Sequence, residues 1–262
     1  YNSTISMFMK KALLMIALML GSVTAFAQNK NEVKQLQAFL SQPAEKGGTN
    51  ATALKITDIK SPATWEGVTV ANGRVTAIEW KDKHLAGTLD LSGFTALTKV
   101  DVSRNAITSI SVAGDAALVE LNASRNKLST LTLDGNAALT KLTVYRNRLT
   151  DLDIAGTPLL ENLNCSNNLF VELSVANATN LKTLNCQGCH IEALNVQGCT
   201  ALKNLYCGYN KLTSINLFGV ENLTNFNIDD NEISNMIISA PSSAVTTAWQ
   251  LSHSATVAHL SM

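Results

Sequence analysis

Apolar residues recur along this chain with a spacing of 21 residues. The repeating frame opens on a leucine that returns without a slip at Leu97, Leu118, Leu139, Leu160, Leu181, Leu202 and Leu223. If that leucine is counted as position 0, apolar residues also fill positions 3, 5, 10, 13 and 15 of each unit. A period of this length predicts a solenoid, in which each unit forms one coil that stacks on the next.

Each unit is predicted to contain a short strand near its beginning. Positions 3 and 5 lie two residues apart, which is the period of a strand with alternate side chains on one side. We therefore expect positions 3 and 5 to face the interior, and positions 4, 6 and 7 to face solvent. Positions 13 and 15 repeat the signature, which predicts a strand or extended arc, not a helix, on the far side of the coil.

A polar side chain marks the point where the chain leaves the first strand. Position 8 of the successive units holds Asn105, Asn126, Asn147, Asn168, Cys189, Asn210 and Asn231. A carboxamide both donates and accepts hydrogen bonds, so it can satisfy the backbone groups that a bend leaves unpaired. We expect these side chains to stack into a ladder, with Cys189 as the one exception.

The unit matches the pattern L-x-x-L-x-L-x-x-N/C-x-L closely over residues 97–238 and loosely over residues 75–96. The sequence therefore resembles the leucine-rich repeat proteins. Because the unit is short, it is most similar to secreted and surface-attached bacterial members, including the internalin-like group. The resemblance implies a β-rich fold of the α/β leucine-rich repeat class: a curved, right-handed solenoid of parallel strands with a short helical and hairpin N-terminal cap.

The first 27 residues are typical of an upstream extension followed by a cleaved signal peptide. Two lysines precede the apolar stretch ALLMIALML, and Ala25-Phe26-Ala27 fits a cleavage site. A membrane anchor is the alternative, but this stretch is shorter than the ~20 residues that span a bilayer. We therefore expect an exported protein, located in the periplasm, on the cell surface or outside the cell, with no transmembrane segment after cleavage.

Loss of the leader changes the charge balance only slightly. The full chain has 20 basic and 20 acidic residues, and removing Lys10 and Lys11 leaves 18 against 20, a net charge of −2. There is no basic excess of the kind that favours nucleic acid or an anionic membrane as partner.

Residues 28–74 are predicted to form an N-terminal cap. Apolar residues at helical spacing predict a helix over Asn31–Ser41, and Asn72-Gly73 lies between two alternating runs, as in a two-residue hairpin. The sequence W-x-G-V-T-V…NGRVT…L-x-G-T-L resembles the N-terminal caps of extracellular leucine-rich repeat proteins, although it lacks their cysteine pair. Such a cap would cover the open end of the first coil.

The repeats are predicted to span residues 75–238, as one irregular unit with an extra residue and seven regular units. Residues 239–262 leave the frame. They are predicted to form a degenerate last coil in which Trp249 and Leu251 cover the end of the solenoid, or to mark the truncation of a longer protein.

One short motif suggests cofactor chemistry. Residues 186–190 spell C-x-x-C-H, the haem-attachment pattern. The repeat already accounts for both cysteines, because Cys186 fills apolar position 5 and Cys189 fills position 8. Zinc would need further ligands, and none lies in frame. We therefore expect no cofactor and no metal, and we expect Cys165, Cys186 and Cys207 to stack as reduced, buried thiols.

The outward positions of the first strand form the candidate binding surface, which the resemblance places on the concave side. The candidate ligand-binding residues are Arg104, Arg125, Arg146, Tyr145, Tyr206 and Tyr209. Arginine and tyrosine dominate binding hot spots. A column of like charges is unfavourable in isolation, which suggests that the arginines have a function. An acidic protein or an acidic sugar would suit the arginines. A solvated face with nearby counter-charges, such as Glu120 between Lys99 and Lys141, is the alternative.

The resulting hypothesis is an exported, non-enzymatic and monomeric module that binds a protein, because the bacterial relatives it resembles are often adhesins or host-interaction proteins. A carbohydrate-binding module that uses Tyr206 and Tyr209 is a second hypothesis, and an accessory stalk of a larger surface protein is a third. The four histidines show no nucleophile or acid–base motif with serine or aspartate, and we expect no enzyme.

Overall fold

The structure is a computed structural model that describes residues 29–238, residue 245 and residues 259–261. The predicted leader, Trp249 and Leu251 lie outside the described residues. Two helices, α1 (Lys30–Leu40) and α2 (Asn50–Ala53), and one 3₁₀ turn (Pro62–Thr64) precede the strands. The strands are β1 (Val68–Ala71), β2 (Arg74–Glu79), β3 (Ala86–Asp90), β4 (Lys99–Asp101), β5 (Ala106–Ser111), β6 (Glu120–Asn122), β7 (Thr130–Thr132), β8 (Lys141–Thr143), β9 (Asn162–Asn164), β10 (Glu172–Ser174), β11 (Thr183–Asn185), β12 (Ala193–Asn195), β13 (Asn204–Tyr206), β14 (Ser214–Leu217), β15 (Asn225–Asn227), β16 (Asn235–Ile238) and β17 (His259–Ser261).

The predicted stacking is confirmed by the sheet topology. The first strand of every coil joins one sheet in the order β1-β2-β4-β6-β8-β9-β11-β13-β15. From β4 onwards all neighbours are parallel and paired 21 residues apart, as Leu121 with Leu142 and Leu184 with Leu205. Equal positions of successive units are therefore neighbours in space, and the chain has the leucine-rich repeat solenoid fold.

The opposite side of the solenoid is extended but discontinuous. It carries a three-stranded sheet, β3-β5-β7, and a separate sheet of the order β10-β12-β14-β16-β17. The coil between them has no strand at residues 151–154. There, Asp151 and Asp153 accept hydrogen bonds from the neighbouring amides of Leu152 and Ala155 at 2.8 Å. Local bonds of this kind compete with the ladder between coils.

The core is the set of apolar columns that the frame predicts. In the coil that opens on Leu97, positions 0, 3, 5, 10, 13 and 15 are all 0–1% exposed, and these residues are Leu97, Val100, Val102, Ile107, Ile110 and Val112. Burial of a side chain of this size contributes about 1.5–3 kcal/mol. Because each column continues through the coils, the core is continuous along the described repeats.

The position-8 carboxamides form the predicted ladder. Asn147 donates to the carbonyls of Ala123 at 3.0 Å and Val144 at 2.9 Å, and its oxygen accepts from the amide of Leu128 at 3.0 Å. One side chain therefore joins its own coil to the preceding one. Cys189 imitates this pattern only in part, because its thiol lies 3.4 Å from the carbonyl of Cys165 and from the amide of Asn168.

The cap residues close the first coil with side chains as well as strands. Strand β1 pairs antiparallel with β2 across Asn72 and Gly73, which both have positive φ as the predicted hairpin requires. Helix α1 lies within one residue of its predicted bounds and presents Glu32, which is 2% exposed. The Glu32 carboxylate binds the Arg74 side chain at 2.6 Å and the Val75 amide at 3.0 Å.

The outer edge of β3 is paired by two carboxamides instead of a strand. Asn50 accepts from the amide of Ala86 at 3.0 Å and donates to its carbonyl at 2.9 Å. Gln42 makes the same pair of bonds with Thr88, at 2.7 and 2.8 Å. These side chains satisfy backbone groups that would otherwise template another chain. The extra residue predicted for this irregular unit coincides with a register shift between Gly87 and Thr88.

We predict that Asn50→Ala destabilises the protein by about 2–4 kcal/mol, because it leaves the half-buried backbone groups of Ala86 unpaired. Asn31→Ala is the matched control, since Asn31 is exposed on α1 and its side chain makes no hydrogen bond within the described residues. Urea unfolding of both variants measures the difference. Equal stabilities would contradict the capping role of Asn50.

We also predict that Cys189→Asn preserves the fold and raises the melting temperature. The new carboxamide would accept from the amide of Phe170, which has no partner within the described residues, just as Asn147 accepts from Leu128. The control is Cys165→Asn, which places the same side chain in a fully apolar position and should cost about 3 kcal/mol or more. Calorimetry separates the two; a similar loss in both variants would show that the position-8 slot has no preference for a carboxamide.

Candidate functional site

The first strand ends in the same local turn in most coils. The position-4 side chain accepts a hydrogen bond from the position-6 amide, as Asn122 does from Ser124 and Asn164 from Ser166, both at 3.2 Å. The next residue, at position 7, then adopts the left-handed backbone conformation. Its φ lies between 52° and 58° at Asp82, Arg104, Arg125, Arg146, Asn167, Tyr209 and Asp230.

Position 7 forms a column on the solvent side of the nine-stranded sheet. The amide of each position-7 residue donates to the position-6 carbonyl of the next coil, as Arg104 does to Ser124 at 2.9 Å and Arg125 to Tyr145 at 2.8 Å. Successive members are therefore one strand spacing apart, ~4.8 Å along the stack. The structure thus brings Arg104, Arg125 and Arg146 together in consecutive coils, and we refer to these three residues as the arginine column.

The arginine column sits where the backbone favours other residue types. Left-handed geometry costs an ordinary L-residue about 1–2 kcal/mol, whereas glycine, asparagine and aspartate tolerate it. Four other coils place Asp82, Asn167, Gly188 and Asp230 at this position, in keeping with that preference, and Tyr209 is a further exception. Strain of this kind clusters at sites where the side chain has a function, so the outlier itself marks the arginines as candidate binding residues.

Tyr145 orders the middle of the column. The guanidinium carbon of Arg125 lies 5.7 Å from the centre of the Tyr145 ring, and its Nε donates to the tyrosine oxygen at 3.4 Å. This hydrogen bond lowers the pKa of Tyr145, and Ser124 and the positive charge of Arg104 act in the same direction. The ring holds one guanidinium in place, and the other two remain exposed.

The neighbouring lysines are neutralised, but the arginine column is not. Ion pairs on this side of the molecule join Lys99 to Glu79 at 2.5 Å and Lys141 to Glu120 at 2.7 Å. Glu120 is thus paired with Lys141 and not with an arginine of the column. Within the described part of the chain, no arginine of the column has a carboxylate at ion-pair distance. The column is a positively charged strip beside a balanced surface.

The two further tyrosines lie on the same sheet, nearer the C-terminal end. Tyr209 is 62% exposed and adopts left-handed geometry, and Tyr206 is half-buried in β13. Beyond them, Asn227 donates a hydrogen bond to Asp229, beside the exposed Asp230. The face therefore runs from positive, through aromatic, to acidic.

The prediction that position 6 faces solvent was wrong for its serines. Ser103, Ser124 and Ser166 are only 2–6% exposed. The turn that follows the strand folds these small side chains under the position-4 residue, so that the hydroxyls of Ser124 and Ser166 donate to Asn122 and Asn164 at 2.8 Å. The larger Tyr145 cannot be folded under in this way and stays half-exposed at the same position. The signal that could have shown this is the N-x-S spacing of an Asx turn.

The C-x-x-C-H motif is part of the repeat interior. Cys186 is 0% exposed between Cys165 and Cys207, and Cys189 is equally buried, so neither thiol reaches the surface where a cofactor could attach. Burial raises the pKa of Cys207 to about 12 and that of Cys199 to about 11. All five cysteines are free. Within the described residues, no group of three or more potential ligands is arranged to hold a metal ion.

No helix in the described part of the chain has the length and apolar character needed to cross a bilayer. No protein-family model matches the sequence, and no curated protein matches it.

Several solved structures are similar to the chain in fold. One is the functional domain of InlJ from Listeria monocytogenes, which includes a cysteine ladder, with 24% identity and a TM-score of 0.42 over 64% of this chain. Another is YopM from Yersinia enterocolitica, with 24% identity and a TM-score of 0.43 over 57% of this chain. A third is the leucine-rich repeat protein LIC12759 from Leptospira interrogans, with 17% identity and a TM-score of 0.39 over 63% of this chain. The chain spans 48%, 36% and 64% of these proteins.

We predict that Arg104→Asn and Arg146→Asn each raise the free energy of unfolding by about 0.5–1 kcal/mol, because asparagine tolerates the left-handed backbone. Arg148→Asn is the control, since Arg148 is an exposed arginine of the same coil as Arg146 but lacks a positive φ. Urea unfolding at moderate salt measures the effect, and destabilisation by the two column variants would show that the arginines support the fold.

Proposed function

We propose that this protein is an exported, non-enzymatic recognition module that binds an acidic patch of another protein through the arginine column. The observation that carries the proposal is the column itself: three arginines in consecutive coils, each in left-handed backbone geometry and without an ion-pair partner in the described residues. A fold of stacked repeats presents such a strip on a rigid surface, which reduces the entropy lost on binding.

The chemistry of the strip suits carboxylates on a partner surface. Guanidinium binds carboxylate in a planar, bidentate geometry, and buried arginines are frequent hot spots. Tyr145 adds a flat surface beside Arg125 and fixes its orientation. The neighbouring lysine–glutamate ion pairs would form the polar rim of this interface. Export is supported by the leader-like residues 1–27, and by nothing in the described structure.

A glycan is the second candidate ligand, favoured by one observation. Tyr209 is 62% exposed in a backbone conformation that tyrosine does not favour, with Tyr206 three residues before it. Exposed aromatic rings provide faces for sugar rings. The two candidates use different parts of the same sheet, so separate variants distinguish them.

We predict that the triple variant Arg104→Asn/Arg125→Asn/Arg146→Asn loses partner binding while its melting temperature is unchanged or higher. The experiment compares wild type, the triple variant and Arg148→Asn as baits for cell-surface extracts, followed by interferometry with each purified partner. Binding should fall at least tenfold for the triple variant alone and weaken with salt. Undiminished binding by the triple variant would refute the proposed site. If glycan-array binding is instead lost only in the double variant Tyr206→Ala/Tyr209→Ala, the result would favour a carbohydrate ligand.

A further inference from the structure

A second interior column contains an acid that the binding face does not use. Three residues after the last apolar position, at position 18, the chain turns back towards the first strand. The equivalent residues of successive coils are Phe94, Asp115, Asn136, Thr157, Ala178, Cys199 and Val220. All except Ala178 are buried, and Asp115 and Asn136 are both 0% exposed.

Two members of this column follow one hydrogen-bonding rule. The Asn136 amide donates to the carbonyl of Val112 at 2.7 Å, and the Cys199 thiol donates to the carbonyl of Val175 at 3.1 Å. In both cases the acceptor lies 24 residues earlier, in the preceding coil. The same separation holds in the position-8 ladder. In these two coils the column therefore places a donor against the preceding coil, whereas Thr157 donates to Ile154 of its own coil. The acceptor that corresponds to Asp115 is the carbonyl of Leu91.

An ionised carboxylate cannot fill that place, because it has no proton to donate. Among the described residues, neither side-chain oxygen of Asp115 has a hydrogen-bond partner, and the side-chain oxygen of Asn136 also has none. Three buried acceptors thus lie in adjacent coils of one column without a donor. The amides of Gly93 and Phe94 lie near enough to Asp115 to lower its pKa, but their hydrogen bonds go to the carbonyls of Ala113 and Leu91.

We propose that Asp115 occupies the column as a neutral carboxylic acid whose hydroxyl donates to the carbonyl of Leu91, and that its ionisation destabilises the N-terminal coils. A single proton supplies the donor that the column lacks and removes the charge from an apolar interior. The site therefore acts as a proton-dependent element of stability within the fold.

The charged groups around the site reinforce this behaviour. Burial raises the pKa of Asp115 to about 7, and the negative charges of Asp90, which ends β3, and Glu32 on α1 raise it further, against the opposing effect of the Phe94 and Gly93 amides. Glu32 is itself bound to Arg74, and the following coil contributes the uncharged Asn136. The charged groups with the largest effect on the pKa of Asp115 are therefore both negative.

The sign of the pH dependence follows from the proton count. The folded state keeps the proton of Asp115 up to about pH 7, whereas the unfolded chain loses it near its ordinary pKa of 3.8. The folded state therefore binds more protons between these values, and stability falls as pH rises through this window and levels off above it. The coil concerned also carries Arg104, so the loss affects one end of the arginine column.

The test compares wild type with Asp115→Asn, which supplies a permanent donor, as Asn136 does one coil later. The control is Asp134→Asn, which removes an exposed carboxylate of the next coil. Melting temperatures are measured from pH 5 to pH 8.5. The advantage of Asp115→Asn over wild type should grow on the order of 5–10 °C across this range, whereas Asp134→Asn should track wild type.

A pH-independent difference between wild type and Asp115→Asn would overturn the proposal. A direct measurement covers the case in which the variant does not fold: the ¹³C carboxyl resonance of Asp115 in the wild-type protein, assigned by NMR. Titration of this resonance near pH 7 supports the proposal, and titration below pH 5 contradicts it.

Discussion

Every coil of this solenoid must satisfy the backbone groups that its two bends leave unpaired, and that requirement determines most of the structure. At the first bend, one carboxamide does so by joining its own coil to the preceding one, as Asn147 joins the carbonyls of Ala123 and Val144 to the amide of Leu128. The bond is available only if the coils are in register. The polar ladder thus fixes the 21-residue spacing that the apolar columns stabilise but could not specify alone.

The same bend produces the candidate binding site. A chain that leaves a strand and turns inward to bury position 8 passes through a left-handed residue at position 7, and the side chain of that residue points to solvent. The fold therefore supplies a regular column of exposed positions, each with a conformational cost for residues other than glycine, asparagine and aspartate. Arg104, Arg125 and Arg146 bear this cost at neighbouring positions, next to lysines that are already paired with glutamates. At this position the backbone favours one set of residues and the proposed recognition favours another.

Sequence alone predicted the parts of the structure that are periodic. The register of the nine-stranded sheet, the buried columns, the position-8 ladder and the Asn72–Gly73 hairpin all follow from spacing and residue type. Contacts that occur only once in the fold were not predicted. The carboxamides of Asn50 and Gln42 pair the edge of β3 from 36 and 46 residues away. A repeating pattern cannot predict such a contact, because it does not recur in other coils. The grouping of the arginines was predictable, but their strained backbone was not, because it depends on the turn geometry around them.

Asp115 shows how one unusual residue in a single repeat can affect the stability of the stacked coils. By sequence it is an ordinary solvated aspartate, one of 20 acidic residues. Only stacking reveals that position 18 is interior, that Asn136 and Cys199 fill it as donors, and that both carboxyl oxygens of Asp115 lack a donor within the described residues. Because coils are stable only through their neighbours, a charge at one buried position weakens the interfaces on both sides. The ladders that make the solenoid uniform are therefore also the places where a single proton can alter its stability.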